Sequence, residues 1–216
     1  MNRSNADALW RVASGLAREA TKVSRADGAP RPNLPPLLFF TDGDRTPEPW
    51  RVATRLPVGS GVVFRHFGAP EARETALRLR EATLRRDGLL LIGRDADLAE
   101  AIQADGVHLP EALISEAAAL AARRPDWTLT AAFHGRNALP DLTGLDALVV
   151  SPVFPAGGAS GEKAPLGYAG LTELARIIPR PVYALGGVNA SNAPQLTGSG
   201  AYGIAGVGSI REAFGA

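Results

Sequence analysis

The side chains best suited to proton transfer in this sequence are its three histidines, because an imidazole exchanges protons near neutral pH. His66, His108 and His134 each stand at the end of a short apolar run. Their spacing along the chain does not match that of zinc ligands, and each alone also suits a structural role. Taken together they predict that at least one faces a binding pocket, and His134 is our candidate proton carrier.

Two cationic side chains are candidate catalytic residues for work on a phosphorylated substrate. Arg65 lies inside an apolar run, where its planar guanidinium would either pair with a neighbouring carboxylate or hold a phosphate. Lys163 lies in the glycine-rich segment 156–167, which is long enough to close over a substrate. Only Lys22 and Lys163 are lysines among 23 basic residues, so we favour a functional role for Lys163 over a solvated one.

Two glycine-bearing segments near the carboxyl end predict a phosphate site. Segments 184–193 (ALGGVNASNA) and 206–210 (GVGSI) each end an apolar run, and glycine lets backbone N–H groups approach an anion closely. The alternative is that the glycines only permit tight turns and that the serine caps the last helix. We favour phosphate binding, with the candidate residues Gly186, Gly187, Gly208 and Ser209.

Acidic residues near strand ends are candidates for a metal site. Asp42, Asp44, Asp95 and Asp97 follow apolar runs, and paired carboxylates could hold Mg²⁺ against a diphosphate. Asp95 is the candidate ligand, but Asp95 or Asp97 could equally cap the helix that follows. The sequence contains no Walker loop, dinucleotide fingerprint, zinc spacing or nucleophile elbow.

These residues need elements that bring them together, and the chain repeats one unit that does so. Eight short apolar runs typical of buried strands begin near residues 37, 61, 88, 106, 127, 145, 181 and 201, and helical patterns separate most of them. Eight successive β–α units predict a (β/α)₈ TIM barrel, with a doubly wound open sheet as the alternative. In a barrel the site lies at the carboxyl ends of the strands, where the candidates above are placed.

The first 30 residues predict an extra amphipathic helix. Residues 6–26 carry apolar side chains at close to a 3.6-residue period, and the proline-rich segment 28–36 ends the pattern. We expect a helical leader over residues 1–30 and a single barrel domain over residues 31–216. The leader is expected to pack across the barrel bottom or against a partner subunit, so a homodimer is one of our expectations.

Composition narrows the class of protein. The 216 residues, 45% hydrophobic and 21% charged, suit one globular domain. A net charge of +1 gives no reason to expect a nucleic acid or an anionic membrane as a partner, and no apolar run reaches the roughly 18 residues that span a bilayer. The absence of cysteine excludes disulfides and thiolate chemistry. We expect a cytoplasmic protein that binds a small phosphorylated substrate.

The second half of the sequence resembles a known family. Segments 104–109 (ADGVHL), 151–167 (SPVFPAGGASGEKAPLG), 184–193 and 206–210 resemble, in order and spacing, the thiamine phosphate synthases and their sister thiazole tautomerases. The resemblance implies a (β/α)₈ fold and the condensation of hydroxymethylpyrimidine diphosphate with a thiazole phosphate, giving thiamine monophosphate and pyrophosphate. It also implies that Mg²⁺ and basic groups, among them Arg65 and Lys163, stabilise the departing pyrophosphate, and that the glycine segments hold the thiazole phosphate.

Several positions depart from the family's pattern. Arg94 stands where the family has a metal-binding aspartate, and Leu113 stands at a second acidic position. Magnesium binding would therefore need Asp95 to shift by one place or Asp42 to take over. The family's histidine after the fifth strand is retained as His134.

Three functions fit these observations. The first is a working synthase with an altered diphosphate site, and we rank it first because synthases dominate the family. The second is a tautomerase-like enzyme that acts on a thiazole phosphate and uses His134 for proton transfer. The third is a non-catalytic protein that binds a thiamine-related phosphate.

Overall fold

Eight parallel strands form a closed barrel in the computed structural model, which describes residues 3–24, 34–66, 68–135, 138–157 and 164–215. Each strand pairs with the next one along the chain, and β8 pairs with β1 to close the ring. The predicted (β/α)₈ barrel is confirmed, and the open doubly wound sheet is wrong. The strands are β1 Leu37–Phe40, β2 Gly61–Phe64, β3 Leu89–Gly93, β4 Gly106–Leu109, β5 Thr128–Phe133, β6 Ala147–Val150, β7 Val182–Ala184 and β8 Gly203–Gly206.

Side chains of the strands alternate between the two faces of the barrel wall. Leu37 and Phe39 face outward and join the cluster that packs against the helices, whereas Leu38 and Phe40 belong to the interior cluster. Both faces are buried, which explains why the strands appear in the sequence as unbroken apolar runs. The interior cluster comprises Leu34, Leu38, Phe40, Val63, Leu91, Ala147, Val149, Tyr183, Tyr202 and Ala205.

The helices follow most of the predicted patterns. Between β4 and β5 the chain forms a 3₁₀ helix, Glu111–Glu116, followed directly by the α-helix α5. The short helix α2 and a second 3₁₀ helix, Ala193–Leu196, were not predicted. No helix occurs in residues 138–146, in agreement with the reduced fifth unit of the sequence. The α-helices are α1 Arg3–Ser24, α2 Pro49–Ala53, α3 Ala72–Leu84, α4 Ala96–Ala101, α5 Ala117–Arg123, α6 Gly167–Ile177 and α7 Gly208–Phe214.

Helix α1 packs on the barrel rather than standing apart from it. It contacts β1, β8, α7 and the second 3₁₀ helix. Leu9 and Leu16 are buried, and Ala17 and Ala20 pack against the interior cluster at the end where the strands begin. This placement agrees with the first of the two positions expected for the leader, across the barrel bottom.

Two tyrosines fix the segment that leads into β1. The Tyr183 hydroxyl donates to the carbonyl of Pro35 at 2.6 Å, and the Tyr202 hydroxyl donates to the carbonyl of Leu34 at 2.7 Å. Because these bonds lie at the amino-terminal ends of β7 and β8, they belong to the face of the barrel that serves stability. None of the helices in the described part of the chain combines the length and apolar character that a membrane crossing requires.

Candidate functional site

The carboxyl ends of the strands bring most of the predicted site residues to one rim, which we call the mouth. Side chains continue to alternate between the two faces for a few residues beyond each strand. Arg65 comes two residues after Val63, which faces the interior, so Arg65 also turns toward the barrel axis. The Arg65 guanidinium carbon lies 5.6 Å from the centre of the Phe40 ring, which belongs to the interior cluster. The mouth is therefore the candidate functional site.

Arg65 is held in place by the loop that follows β1. Its Nε donates to the carbonyl of Thr41 at 2.8 Å, and its backbone N–H donates to the Thr41 hydroxyl at 2.9 Å. An Nη2 nitrogen of Arg65 lies 3.7 Å from Oδ2 of Asp42. The sequence left open whether Arg65 pairs with a carboxylate or holds a phosphate; the structure places it beside a carboxylate while its side chain stays about a quarter exposed at the mouth.

Asp42 is shared between two arginines. Oδ2 of Asp42 accepts a hydrogen bond from Arg45 at 2.8 Å, and Oδ1 accepts the Arg45 backbone N–H at 3.1 Å. The hydrogen bonds from Arg45 lower the pKa of Asp42 from 3.8 to about 2, and the charge of Arg65 acts in the same direction. Sequence reasoning missed Arg45, and its position three residues after a candidate acid was the available signal.

His66 and Asp95 join the loops after β2 and β3. The Gly68 N–H donates to Nδ1 of His66 at 3.0 Å, so the ring hydrogen sits on Nε2, which lies 3.2 Å from Oδ2 of Asp95. Oδ1 of Asp95 accepts the Leu98 N–H at 2.8 Å and caps α4. The helix-capping interpretation of Asp95 is therefore confirmed.

His108 faces inward but lies in the barrel core instead of a pocket. Only 6% of it is exposed, its Nδ1 lies 2.9 Å from the Thr130 hydroxyl, and its ring meets the Phe40 ring edge to face. Burial lowers the pKa of His108 to about 3, and the positive charge of Arg65 adds to this shift. His108 is thus a neutral structural residue at neutral pH.

His134 has the geometry of a residue that can move a proton. Its Nδ1 lies 2.9 Å from the carbonyl oxygen of Ser151, which can only accept, so Nδ1 carries the hydrogen and donates it. Nε2 then offers its lone pair on the side where Oε2 of Glu111 lies, 3.8 Å away. The His134 side chain is 30% exposed, so a bound molecule can reach it. Glu111 was not among the predicted site residues, although it follows β4 at the strand end.

The glycines after β7 adopt a backbone that only glycine takes easily. Gly186 and Gly187 have φ angles of 89° and 67°. The Gly186 carbonyl accepts the Phe154 N–H at 3.0 Å on the β6 side. Because the C=O and N–H of a trans peptide point in opposite directions, the Gly187 N–H points toward the side on which β8 lies. A side chain at Gly187 would also meet the Pro155 carbonyl oxygen at 2.4 Å.

Gly208 and Ser209 are the first two residues of α7. The helix begins after Val207, and no side chain caps it, so the alternative that Ser209 is the capping residue is wrong. The first N–H groups of a helix have no partner inside it, and a Cβ added at Gly208 would meet nothing within 4 Å. The two glycine loops therefore follow the adjacent strands β7 and β8.

The remaining predicted site residue, Lys163, lies outside the described residues. Its role stays a prediction. The loop ends on either side of it are in place, since the Leu166 N–H donates to the Pro152 carbonyl at 2.9 Å and the Gly167 N–H to the Val153 carbonyl at 2.8 Å.

The two carboxylates expected to hold Mg²⁺, Asp42 and Asp95, have little capacity left for it, and Mg²⁺ prefers oxygen atoms from one or two available carboxylates. One oxygen of Asp95 caps α4 and the other lies beside His66, and both oxygens of Asp42 are engaged by Arg45. Across the described ranges, no three histidine or acidic side chains come together in a way that could hold a metal ion. Asp42 and Asp95, as they are placed, therefore do not fit a magnesium site, and the role of Asp95 as a ligand is a prediction that its contacts do not support.

Comparison with known proteins shows which family this chain belongs to. The family model of thiamine monophosphate synthase matches residues 51–210. The thiamine-phosphate synthase of Gloeobacter violaceus is 35% identical over 144 residues, which are 65% of this chain and 41% of that protein. The thiamine-phosphate synthase of Archaeoglobus fulgidus is 32% identical over 142 residues, which are 65% of this chain and 66% of that protein. The matches thus span less than two thirds of these relatives.

A solved structure supports the same family. The thiamine phosphate pyrophosphorylase from Pyrococcus furiosus is 28% identical and superposes with a TM-score of 0.69 over 84% of this chain and 92% of that one. The family match, which ends at residue 210, includes both glycine loops.

Proposed function

Because the chain belongs to the thiamine monophosphate synthase family, we propose that it condenses hydroxymethylpyrimidine diphosphate with a thiazole phosphate. In this reaction the bond between the pyrimidine methylene and the diphosphate oxygen breaks, and a bond from that methylene to the thiazole nitrogen forms. The products are thiamine monophosphate and pyrophosphate. The observation that carries the proposal is the family match over residues 51–210, which includes Arg65, His134 and both glycine loops.

The thiazole phosphate is assigned to the two glycine loops. Backbone N–H groups of Gly187, Gly208 and Ser209 would donate to its oxygens, with Gly186 setting the turn that aims the Gly187 N–H. Donors of this kind are fixed by the fold, so they need no rearrangement when the anion arrives. The supporting geometry is the direction of the Gly187 peptide and the uncapped start of α7.

The diphosphate end is assigned to the opposite side of the mouth, where Arg65 stands. Its guanidinium carries a permanent charge and a planar fork that matches phosphate oxygens. Lys163, on the loop after β6, is proposed to reach the same end when the loop covers the substrate. Both residues would stabilise the charge that develops on pyrophosphate as it leaves. We expect Lys163→Ala to lower turnover without changing the thermal midpoint of unfolding.

One observation favours a second candidate function. The His134 ring is fixed through Nδ1 by Ser151, and its Nε2 faces the mouth beside Glu111. A base and acid so placed could remove a proton from a thiazole phosphate and return it at another position. Such an isomerisation needs no diphosphate site and no co-reactant. A protein that binds the thiazole phosphate without converting it is the third candidate.

One assay separates these three functions. Purified protein is incubated with both synthase substrates, with added Mg²⁺ or with a chelator, and thiamine monophosphate and pyrophosphate are quantified together. The proposed function predicts equal amounts of the two products, and absence of product under both conditions contradicts it. Isomerisation of a thiazole carboxylate phosphate alone would establish the second candidate, and binding without any conversion would establish the third.

We also propose a setting for this activity. The substrates are small phosphorylated molecules, and a cytoplasmic location agrees with the absence of cysteine and the balanced charge of the chain. Neither observation favours a nucleic acid or a membrane as a partner. A homodimer stays a prediction, which sedimentation of the purified protein would test.

A further inference from the structure

We propose that the diphosphate end of the substrate is bound by the guanidinium groups of Arg45 and Arg65 and requires no divalent cation. This inference rests on the proposed function for the identity of the diphosphate, but the anion site itself follows from the arrangement of charges after β1 and β2. In an enzyme of this kind a metal ion would neutralise the leaving group. Here two fixed cations stand in the same region.

Two carboxylates of the mouth, Asp42 and Asp95, already have partners. Asp42 receives hydrogen bonds from the side chain and backbone of Arg45, whereas Asp95 receives one from the Leu98 N–H and its other oxygen lies 3.2 Å from Nε2 of His66. Taking either carboxylate for a metal ion would leave these donors without their partner, at the cost of the hydrogen bonds. The acidic residues therefore serve to position cations and a helix, and they do not form a metal cage.

The cations outnumber the carboxylate between them. Arg45 and Arg65 both approach Asp42, at 2.8 and 3.7 Å, so these three side chains together carry a charge of +1, and the carboxylate of Asp44 acts on Arg45 from the same loop. Burial lowers the pKa of Arg65, and the charge of Arg45 acts in the same direction. A dianion that entered beside them would relieve this repulsion. Asp42 is a positioning residue in this arrangement, because it holds the two arginines together.

The surroundings keep both guanidinium groups at the mouth. Arg65 is fixed by the Thr41 carbonyl, and a Cβ added at Gly93 would come within 3.3 Å of its Cγ, so the glycine leaves room for the arginine. The carbonyl of Arg45 accepts a hydrogen bond from Nη1 of Arg211 at 2.8 Å, which ties the loop after β1 to helix α7. The arginines are thus linked to the helix whose start is assigned to the thiazole phosphate.

Calorimetric titration of the purified full-length protein with inorganic pyrophosphate tests this inference. The titration is run in a chelator and again with added Mg²⁺, for the unaltered protein and for Arg45→Gln, Arg65→Gln and Arg85→Gln. Arg85 lies on the exposed surface of α3 beside Glu81, so its variant removes the same charge far from the mouth. We expect binding in the chelator, weakened about tenfold or more by either mouth variant and unchanged in Arg85→Gln.

Several results would overturn the inference. They are binding that appears only with Mg²⁺, binding in the chelator that neither mouth variant weakens, and no binding under either condition. Arg45 is exposed, so its variant still informs if Arg65→Gln fails to fold. The synthase assay is read separately: product formed only with Mg²⁺ rejects this inference and keeps the proposed function. Pyrophosphate binding in the chelator without formation of product keeps this inference and rejects the proposed function.

Discussion

The two sides of the mouth present different kinds of hydrogen-bond donor. The side-chain half, formed by the loops after β1, β2 and β3, presents Arg45 and Arg65 around Asp42. The backbone half, formed by the loops after β7 and β8, presents Gly187 and the start of α7, and its donors are peptide N–H groups. One half depends on the charges of side chains, and the other on peptide dipoles that the fold fixes.

The two halves should therefore tolerate different kinds of amino-acid substitution. Peptide donors are removed only by substitution with proline, so most substitutions disturb the backbone half by adding bulk or charge. The side-chain half loses its charge one residue at a time, and its ion pairs respond to pH. The two proposed substrates suit this division, because the phosphate of the thiazole needs few donors, whereas the larger negative charge of the pyrimidine diphosphate needs cationic side chains.

The largest expected effect comes from placing charge on the backbone half. Ser209→Asp sets a carboxylate beside the assigned phosphate, and two like charges at about 4 Å repel by several kcal/mol at an effective dielectric constant near 20. We expect affinity for a thiazole phosphate to fall more than about a hundredfold, as measured by calorimetry. Ser209→Ala keeps the peptide donors and should retain most of the affinity. Unchanged affinity in Ser209→Asp rejects the assigned site.

His134 lies between the two halves, after β5, and its substitution tests the second candidate function. A proton carrier typically contributes 10²- to 10⁴-fold to a rate, so His134→Gln should reduce any isomerisation of a thiazole phosphate by about a hundredfold or more. The matched variant His66→Gln changes a histidine that is engaged by Gly68 and Asp95, and it should leave isomerisation largely intact. Equal losses in both variants would contradict an assignment of proton transfer to His134.

A smaller effect, on stability, probes how the backbone half is built. Gly187→Ala places a Cβ 2.4 Å from the Pro155 carbonyl oxygen at a φ of 67°, and such strain costs about 1–3 kcal/mol or more. Urea unfolding should show that loss in the free energy of unfolding. Gly208→Ala adds the same methyl group where nothing lies within 4 Å, and it should unfold at the urea concentration of the unaltered protein. Equal stability of the two variants would show that the turn after β7 can relax.

The two halves also differ in how far the sequence predicted them. Gly186 and Gly187 could be identified because a positive φ is a local requirement that glycine meets. The strands were equally clear, since burial on both faces leaves unbroken apolar runs. The residues of the side-chain half were less predictable. The partnership of Arg45 with Asp42 and the capping by Asp95 were choices among several local partners.

Other features escaped sequence reasoning because they depend on contacts between distant segments. Glu111 and His134 approach each other from the loops after β4 and β5, and no spacing along the chain encodes that distance. The 3₁₀ stretch before α5 interrupts a helical pattern that is continuous in the sequence. His108 lies in the core and His134 at the mouth because His108 lies within β4, opposite Thr130, whereas His134 follows the end of β5.

The smallest expected effect is a pH dependence of stability that comes from the side-chain half. Because hydrogen bonds from Arg45 lower the pKa of Asp42 from 3.8 to about 2, the unfolded chain binds more protons than the folded one between these values. Stability from this group is therefore present above about pH 4 and is lost as the pH falls toward 2. Urea unfolding at several pH values in this range gives the free energy of unfolding as a function of pH. The slope of that free energy against pH should be shallower in Asp42→Asn than in the unaltered protein, by the equivalent of less than one bound proton. An unchanged slope in Asp42→Asn would contradict this prediction, because the contacts of Asp42 with the arginines would then not contribute to stability. The side-chain half would in that case be held together less tightly than the backbone half.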